Sequence, residues 1–247
     1  MSFDRLAPHY RWLETLLAGS VLQRCRTRWL AEVPPPRHAL LAGEGPGRML
    51  DACAQVWPDC EFTVLDSSVE MIKQARRRST HVSKGVAVNF IAVDAREWTG
   101  PRGKFDVVVT NFFLDCFAAD DLERVVANLN AVATPDATWL VSDFQMPPAG
   151  WRRWRAKALL SLAYGFFRVA TDISARRITP PDDVLRAAGF VLRRRESFNF
   201  GLLHADLWRR PDSFAPHERA AGDAQQRNSH RTPKVAMAGE RFSAESV

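Results

Sequence analysis

His38-Ala-Leu-Leu-Ala42, then Gly43-Glu44-Gly45-Pro46-Gly47, then Arg48-Met-Leu-Asp-Ala-Cys-Ala: an apolar run of strand length meets three alternate glycines and gives way to helical spacing. A strand, a glycine turn and a helix open a βα unit, and the pattern repeats downstream. Residues 61 to 66 are expected as a second strand and 69 to 78 as its helix. Val86 to Val93 reads as a third strand, Phe105 to Thr110 as a fourth, residues 120 to 132 as a helix and Thr138 to Ser142 as a fifth strand. Strands alternating with helices of these lengths predict a parallel sheet with both faces covered.

Upstream, Leu13, Leu16, Leu17, Val21, Leu22, Cys25 and Trp29 recur at three- and four-residue spacing, so residues 1–33 are expected to form a helical cap that Pro34, Pro35 and Pro36 stop. Downstream, residues 151–178 form a basic, aromatic insert whose first part, Trp151 to Val169, has helical spacing. Thr179 is expected to cap a helix that starts with Pro180 and Pro181 and ends at Gly189. Residues 190–198 and 202–209 read as two closing strands. From Pro211 to Val247 five basic and five acidic residues balance, and Trp and Tyr are absent. Such a stretch buries too little to offset its ordering entropy, so one domain over 1–210 with a disordered 211–247 tail is expected.

The composition, 46% hydrophobic and 25% charged over 247 residues, excludes a chain that is disordered or fibrous throughout. Cys25, Cys53, Cys60 and Cys116 form no C-x-x-C pair and read as buried thiols of a reducing compartment. No apolar run reaches the roughly 18 residues of a membrane span, and the first residues lack a signal-type apolar stretch. A cytoplasmic location is expected, with peripheral membrane contact left open. The six histidines have no metal-ligand spacing, so no metal is expected.

Three successive strand ends carry polar chemistry. The glycine loop lets backbone N–H groups approach an anionic ligand at a helix N-terminus, or is simply a tight turn. Its spacing, with Arg48 where a dinucleotide fold has its last glycine, speaks against a nicotinamide. Asp66 ends the second strand, 19 residues after Gly47. A carboxylate there can accept hydrogen bonds from ribose hydroxyls, or cap the next helix. Asp94 ends the third strand, where it can read an adenine edge or satisfy local amides.

Taken in order, Leu-Leu-Ala-Gly-Glu-Gly-Pro-Gly-Arg, Val-Leu-Asp66-Ser-Ser-Val-Glu-Met71, Val-Asp94-Ala95 and Phe105-Asp-Val-Val-Val-Thr-Asn111 resemble a class I S-adenosylmethionine-dependent methyltransferase over residues 3–209. Phe3-Asp-Arg-Leu-Ala-Pro-His-Tyr10 and the insert with Tyr164-Gly-Phe-Phe167 resemble the ubiquinone/menaquinone C-methyltransferase branch. The resemblance implies an α/β, Rossmann-like, seven-stranded, mostly parallel sheet with its last strand antiparallel and helices on both faces. It implies S-adenosylmethionine as cofactor. Gly43, Gly45 and Gly47 would line its methionine and ribose part, Asp66 would hold the ribose hydroxyls, and Ser67 and Met71 would lie beside the adenosine. Asp94 and Ala95 would face the adenine, Asn111 and Phe112 the methionine end, and Tyr10 would close over the cofactor. Two departures stand out. Leu41 occupies the position where most of the family is acidic, with Glu44 as the substitute for contact with the cofactor's amino group. Asn111-Phe-Phe-Leu114 is not the Asn/Asp-Pro-Pro-aromatic motif of enzymes that methylate base amino groups.

The excess charge is concentrated. From Trp151 to Arg195 eleven Lys+Arg face three Asp, a net +8 against +6 for the whole chain. Trp151, Trp154, Ala158, Leu162 and Phe166 share a helical stripe, with Arg152, Arg153, Arg155 and Lys157 crowding its first turns. This is a solvated face over a core stripe, a membrane or lipid-like contact, or a nucleic-acid contact. Asp115, His204 and Tyr10 are the candidates for a catalytic proton acceptor. The expected reaction is methyl transfer to a small, apolar or quinone- or lipid-like acceptor. RNA or protein methylation through the 151–195 segment, and cofactor binding without catalysis, are the alternatives; nucleic acid is the weaker partner.

Overall fold

The computed structural model describes residues 19–82, 85–159 and 179–211. Tyr10, the apolar repeats at 13–17, the 160–178 part of the insert and the expected tail beyond Pro211 lie outside the described residues. Contacts group Met1–Ser213 as one compact unit and Phe214–Val247 as a second, which falls wholly outside them.

In chain order the elements are α1 (Gly19–Thr27), β1 (His38–Ala42), α2 (Arg48–Val56), β2 (Glu61–Asp66), α3 (Val69–Val82), β3 (Val88–Ala92), β4 (Phe105–Asn111), α4 (Ala119–Val132), β5 (Ala133–Phe144), α5 (residues 150–159), α6 (Asp182–Ala187), β6 (Val191–Phe198) and β7 (Leu203–Arg209). Single 3-10 turns occupy Leu30–Glu32, Leu114–Cys116 and Asn199–Gly201. The seven strands form one sheet in the order β3-β2-β1-β4-β5-β7-β6. β1 to β5 pair in parallel, and β7 runs antiparallel to both β5 and β6. The expected α/β sheet, with its last strand antiparallel, is the observed one.

β1 lies inside the sheet, between β2 and β4, and is apolar on both faces because both are covered. Ala39 and Leu41 join Met49, Cys53, Trp57 and Ile72 from α2 and α3 on one face, with Cys25 of α1. Leu40 and Ala42 join Leu122, Val125, Leu129 and Leu185 from α4 and α6 on the other. The two-residue period of a strand sends alternate side chains into separate cores. α1 is fastened to the sheet by the Cys25 thiol, which donates to the His204 carbonyl at 3.3 Å, and by Ser142 Oγ, which donates to the Cys25 carbonyl at 3.2 Å.

Several boundaries differ from expectation, among them the start of β3 at Val88 rather than Val86. β5 begins immediately after α4, at Ala133, which pairs with Phe105; the extra residues 134–137 of β5 are then taken up in an irregularity before pairing resumes between Val107 and Thr138. α3 continues to Val82. Thr179 does not cap α6: the helix starts at Asp182, Pro181 is its N-cap residue, and no side chain caps it. Asp182 and Asp183 supply negative charge to its first turn instead.

Trp139 is fully buried; its indole N–H donates to Thr110 Oγ1 at 3.0 Å, and its ring meets Phe190 edge-on at 5.4 Å. Trp139→Ala should lower the unfolding free energy in urea by about 3–5 kcal/mol. Thr110→Val, which keeps the volume but strands the buried indole N–H, should cost about 1–3 kcal/mol.

Candidate active site

The strand order reverses between β1 and β4, and a crevice opens beyond the carboxyl ends of strands at such a point. The segments leaving β1 and β4 line it. The glycine loop turns three times through left-handed backbone, with φ of 69° at Gly43, 63° at Gly45 and 88° at Gly47. A side chain at Gly43 would place its Cβ 2.1 Å from the Phe113 ring, and one at Gly47 would meet the Ala75 backbone at 3.0 Å. At Gly45 nothing lies within 4 Å of that position, so this turn of the loop faces open space. Phe113, which the sequence reading did not single out, thus packs over the first glycine.

Asp66 is oriented by the loop it serves. Its Oδ2 accepts the Gly45 N–H and its Oδ1 the Ser68 N–H, both at 2.9 Å. The helix-cap role falls to Ser68, whose Oγ accepts the Met71 N–H at 3.2 Å. Ser67 is half-buried between the two, and Met71 is buried. Asp66 therefore stands as a half-buried carboxylate beside the open turn at Gly45.

Two other candidates have firm protein partners. Glu44 Oε1 accepts the Met49 and Leu50 N–H groups at 2.8 and 3.0 Å, so it satisfies the free end of α2. That oxygen is engaged with the helix, and a contact to a ligand amino group would have to use the other. Burial pushes the Glu44 carboxyl up to about 7, against the pull of those N–H groups and of Arg26. Asp94 is gripped by Arg96, whose Nη2 donates to Oδ2 at 2.6 Å and whose backbone N–H donates to Oδ1 at 2.9 Å. Arg96 holds the carboxyl below its usual range and also reaches Asp121 of α4 at 3.1 Å. Ala95 is buried, and its carbonyl accepts from Asn128 Nδ2 at 3.0 Å. Of the two readings of Asp94, satisfaction of local groups is the one these contacts display.

At the end of β4, Asn111 keeps both side-chain amide atoms buried without a hydrogen-bond partner among the described residues. Phe112 adopts φ of 53°, donates its N–H to the Ser142 carbonyl at 2.6 Å, and lies with its ring between Arg26 at 5.0 Å and Phe144 at 5.4 Å. The ring covering Gly43 is that of Phe113, one residue later. Its N–H donates to Asp143 Oδ1 at 3.1 Å.

Asp143 ends a buried polar line that sequence reading missed in part. Asp143 and Asp115 are neighbouring buried carboxyls. Burial and mutual repulsion push Asp143 well up, while Asp115 is raised to about 6, chiefly by burial. His204, opposite Asp143 in the β5–β7 register, has Nδ1 3.1 Å from Asp206 Oδ1. Arg195 clamps Asp206 through Nε at 2.7 Å and Nη2 at 2.6 Å. Burial opposes ionisation of Asp206, yet Arg195 and His204 keep it below the usual carboxylate range. The signal for Asp143 was a lone acidic residue inside the apolar run Trp-Leu-Val-Ser-Asp-Phe. Tyr10 lies outside the described residues. Among the described residues no group of three or more His, Cys, Asp or Glu could hold a metal.

These residues fit an S-adenosylmethionine-type ligand: an open glycine turn, an oriented carboxylate for a diol, and an orphaned amide at the crevice floor. Glu44 supplies a pH signature. Its folded-state value of about 7 lies above its ordinary 4.5, so the folded chain binds the extra proton between those values. Stability from this group is therefore present at low pH and is lost as pH rises from about 4.5 to 7. Across pH 5 to 7 the urea unfolding free energy of Glu44→Gln should fall less steeply with pH than that of wild type; the variant keeps slopes of the same sign from Asp115 and Asp143.

Residues 39–136 match the family described as a methyltransferase domain. A demethylmenaquinone methyltransferase of Thermus thermophilus is 28% identical over 225 residues, spanning 85% of this chain and 100% of that protein. A trans-aconitate 2-methyltransferase of Streptomyces avermitilis is 39% identical over 123 residues, 48% of this chain and 43% of that protein. The chain thus spans the whole of the first relative and less than half of the second. Among solved structures, the 1,6-didemethyltoxoflavin N1-methyltransferase of Burkholderia thailandensis, with 1,6-didemethyltoxoflavin and S-adenosylhomocysteine bound, superposes with a TM-score of 0.61 at 18% identity, covering 85% of this chain and 86% of that one. Residues 39–136 thus carry a methyltransferase domain, and the matched domain and named relatives support an S-adenosylmethionine-dependent methyltransferase.

Proposed function

We propose that the protein methylates a small, apolar acceptor of quinone- or lipid-like kind. The observation that carries this reading is the aromatic character of the segments beyond β4 and β5. Phe112 and Phe144 contact each other at 5.4 Å on one core, and Phe113 and Phe117 meet edge-on at 5.0 Å on the other. Aromatic surroundings of this kind suit a flat, apolar molecule and exclude water. The full-length similarity to a demethylmenaquinone methyltransferase supports the same acceptor class.

S-adenosylmethionine supplies a methyl group already activated by its sulfonium. The chain's task is alignment and exclusion of water. Gly43, Gly45 and Gly47 with Asp66 hold the nucleoside and methionine parts, with Ser67 and Met71 beside them. Ala95 and Asp94 border the base, and the Asn111 amide faces the reacting end. Asp115, raised by burial to about 6, takes the proton of an acceptor that must lose one. His204, buried within β7, lies 3.1 Å from Asp206.

Three measurements test this. Asp66→Ala should weaken S-adenosylhomocysteine binding in calorimetry by about 10- to 100-fold, the loss of charge-assisted hydrogen bonds. Asp115→Asn should lower kcat about 100-fold or more while leaving that affinity unchanged. With methyl-labelled S-adenosylmethionine, label should pass to a demethylmenaquinone-type acceptor in preference to trans-aconitate or a malonyl thioester. Transfer only to the carboxylate acceptors would replace the apolar-acceptor reading.

A further inference from the structure

The apolar stripe of α5 points the wrong way for a core helix. Trp151 and Trp154 are 61% and 74% exposed, and Ala158 is exposed beside them. The helix rests on the protein instead through Ala156, which is 1% exposed, and Leu159, both packed with the α1–α3 face of the sheet. The described part of the stripe is therefore not buried, and a solvated charged face over a core stripe does not describe it.

A neighbouring aromatic residue is held out beside it. Phe200, 57% exposed, adopts φ 57° and ψ 31° in the turn between β6 and β7, a left-handed conformation that bulky residues rarely take. Its ring stacks 5.5 Å from Trp151 and under the Arg155 guanidinium at 5.1 Å. Arg155 also donates to Asn199 Oδ1 at 2.9 Å, tying the turn to the helix. Strain kept in place to expose an aromatic ring points to contact with something apolar.

The same face is cationic. Arg152 lies over Trp151 at 6.0 Å and Lys157 over Trp154 at 5.3 Å, while Arg153 reaches the Pro148 carbonyl at 3.1 Å. Among the described residues none of these three pairs with a carboxylate. Tryptophan at a surface ringed by Arg and Lys is the composition of an interfacial helix on anionic lipid. Among the described residues no helix is long and apolar enough to cross a membrane, so contact of this kind would be superficial.

We propose that Trp151, Trp154 and Phe200, flanked by Arg152, Arg153 and Lys157, dock the protein on a bilayer surface carrying anionic headgroups. The patch lies at the rim of the sheet where β5 ends and β7 begins, the edge that also carries Asn111 and Asp143. An acceptor dissolved in lipid would meet the crevice from that side. The docking itself does not depend on which acceptor is methylated.

Sedimentation of the full chain with vesicles tests this. Wild type should pellet with phosphatidylcholine vesicles containing phosphatidylglycerol, and at least about tenfold less with phosphatidylcholine alone or in high salt. Trp151→Ser/Trp154→Ser and Arg152→Glu/Lys157→Glu should each lose binding by a similar factor. S-adenosylhomocysteine affinity, measured by calorimetry, should stay at the wild-type value in both and so report an intact fold. Equal binding to neutral and anionic vesicles, unchanged binding by either double variant, or saturable binding to single-stranded RNA with none to vesicles would overturn the proposal.

Discussion

β1 and β4 lie side by side and point the same way, yet the chains leaving them go to opposite faces of the sheet. α2 packs on one core and α4 on the other. The gap this divergence leaves cannot be filled by either helix, and the two turns that border it are forced into unusual backbone. Three glycines on the β1 side and Phe112 on the β4 side take positive φ. Phe113 then covers Gly43 so closely that no side chain fits there. The chemistry of the crevice follows from this geometry. Loop N–H groups, the Asp66 carboxylate and the Asn111 amide are gathered because each sits just past a strand that ends at the divergence.

The second half of the sheet carries the cost of a polar interior. Asp143, His204 and Asp206 are buried within the β5–β7 pairing, where isolated charges are unfavourable. Arg195 neutralises Asp206 from the β6 side, whereas burial and the nearby Asp115 carboxyl push Asp143 well up. Two solutions to one desolvation problem thus lie a few residues apart. One produces a fixed ion pair, the other a carboxyl pair able to exchange a proton next to the crevice.

Much of the site was legible because its residues occupy fixed places in βα units. Gly43 to Gly47, Asp66 and Asn111 are all strand-end residues, and strand ends show in sequence as the point where apolar runs stop. What failed to show was competition for those side chains. Asp94 looks available until Arg96, two residues on, and Asp121, 25 residues further along, are brought to it. Glu44 looks like a stand-in for the acidic residue absent at Leu41, but it reaches forward to the first turn of α2. Phe112 and Phe113 are adjacent and alike, and only the left-handed turn at Phe112 decides which ring lies over the glycine.

The α/β class and the succession of strands and helices were readable along the chain, because these depend on local period and on glycine and acid positions. The tertiary structure decided the rest. The Asp115–Asp143 pair and the Asp206 clamp unite residues from separate elements, and no spacing announces them. The α5 stripe is the plainest case. Its helical period was readable, but a period gives only a face, and which face meets the core depends on the sheet behind it. Here Ala156 is small enough to let the helix approach that sheet, and the two tryptophans are left on the outside.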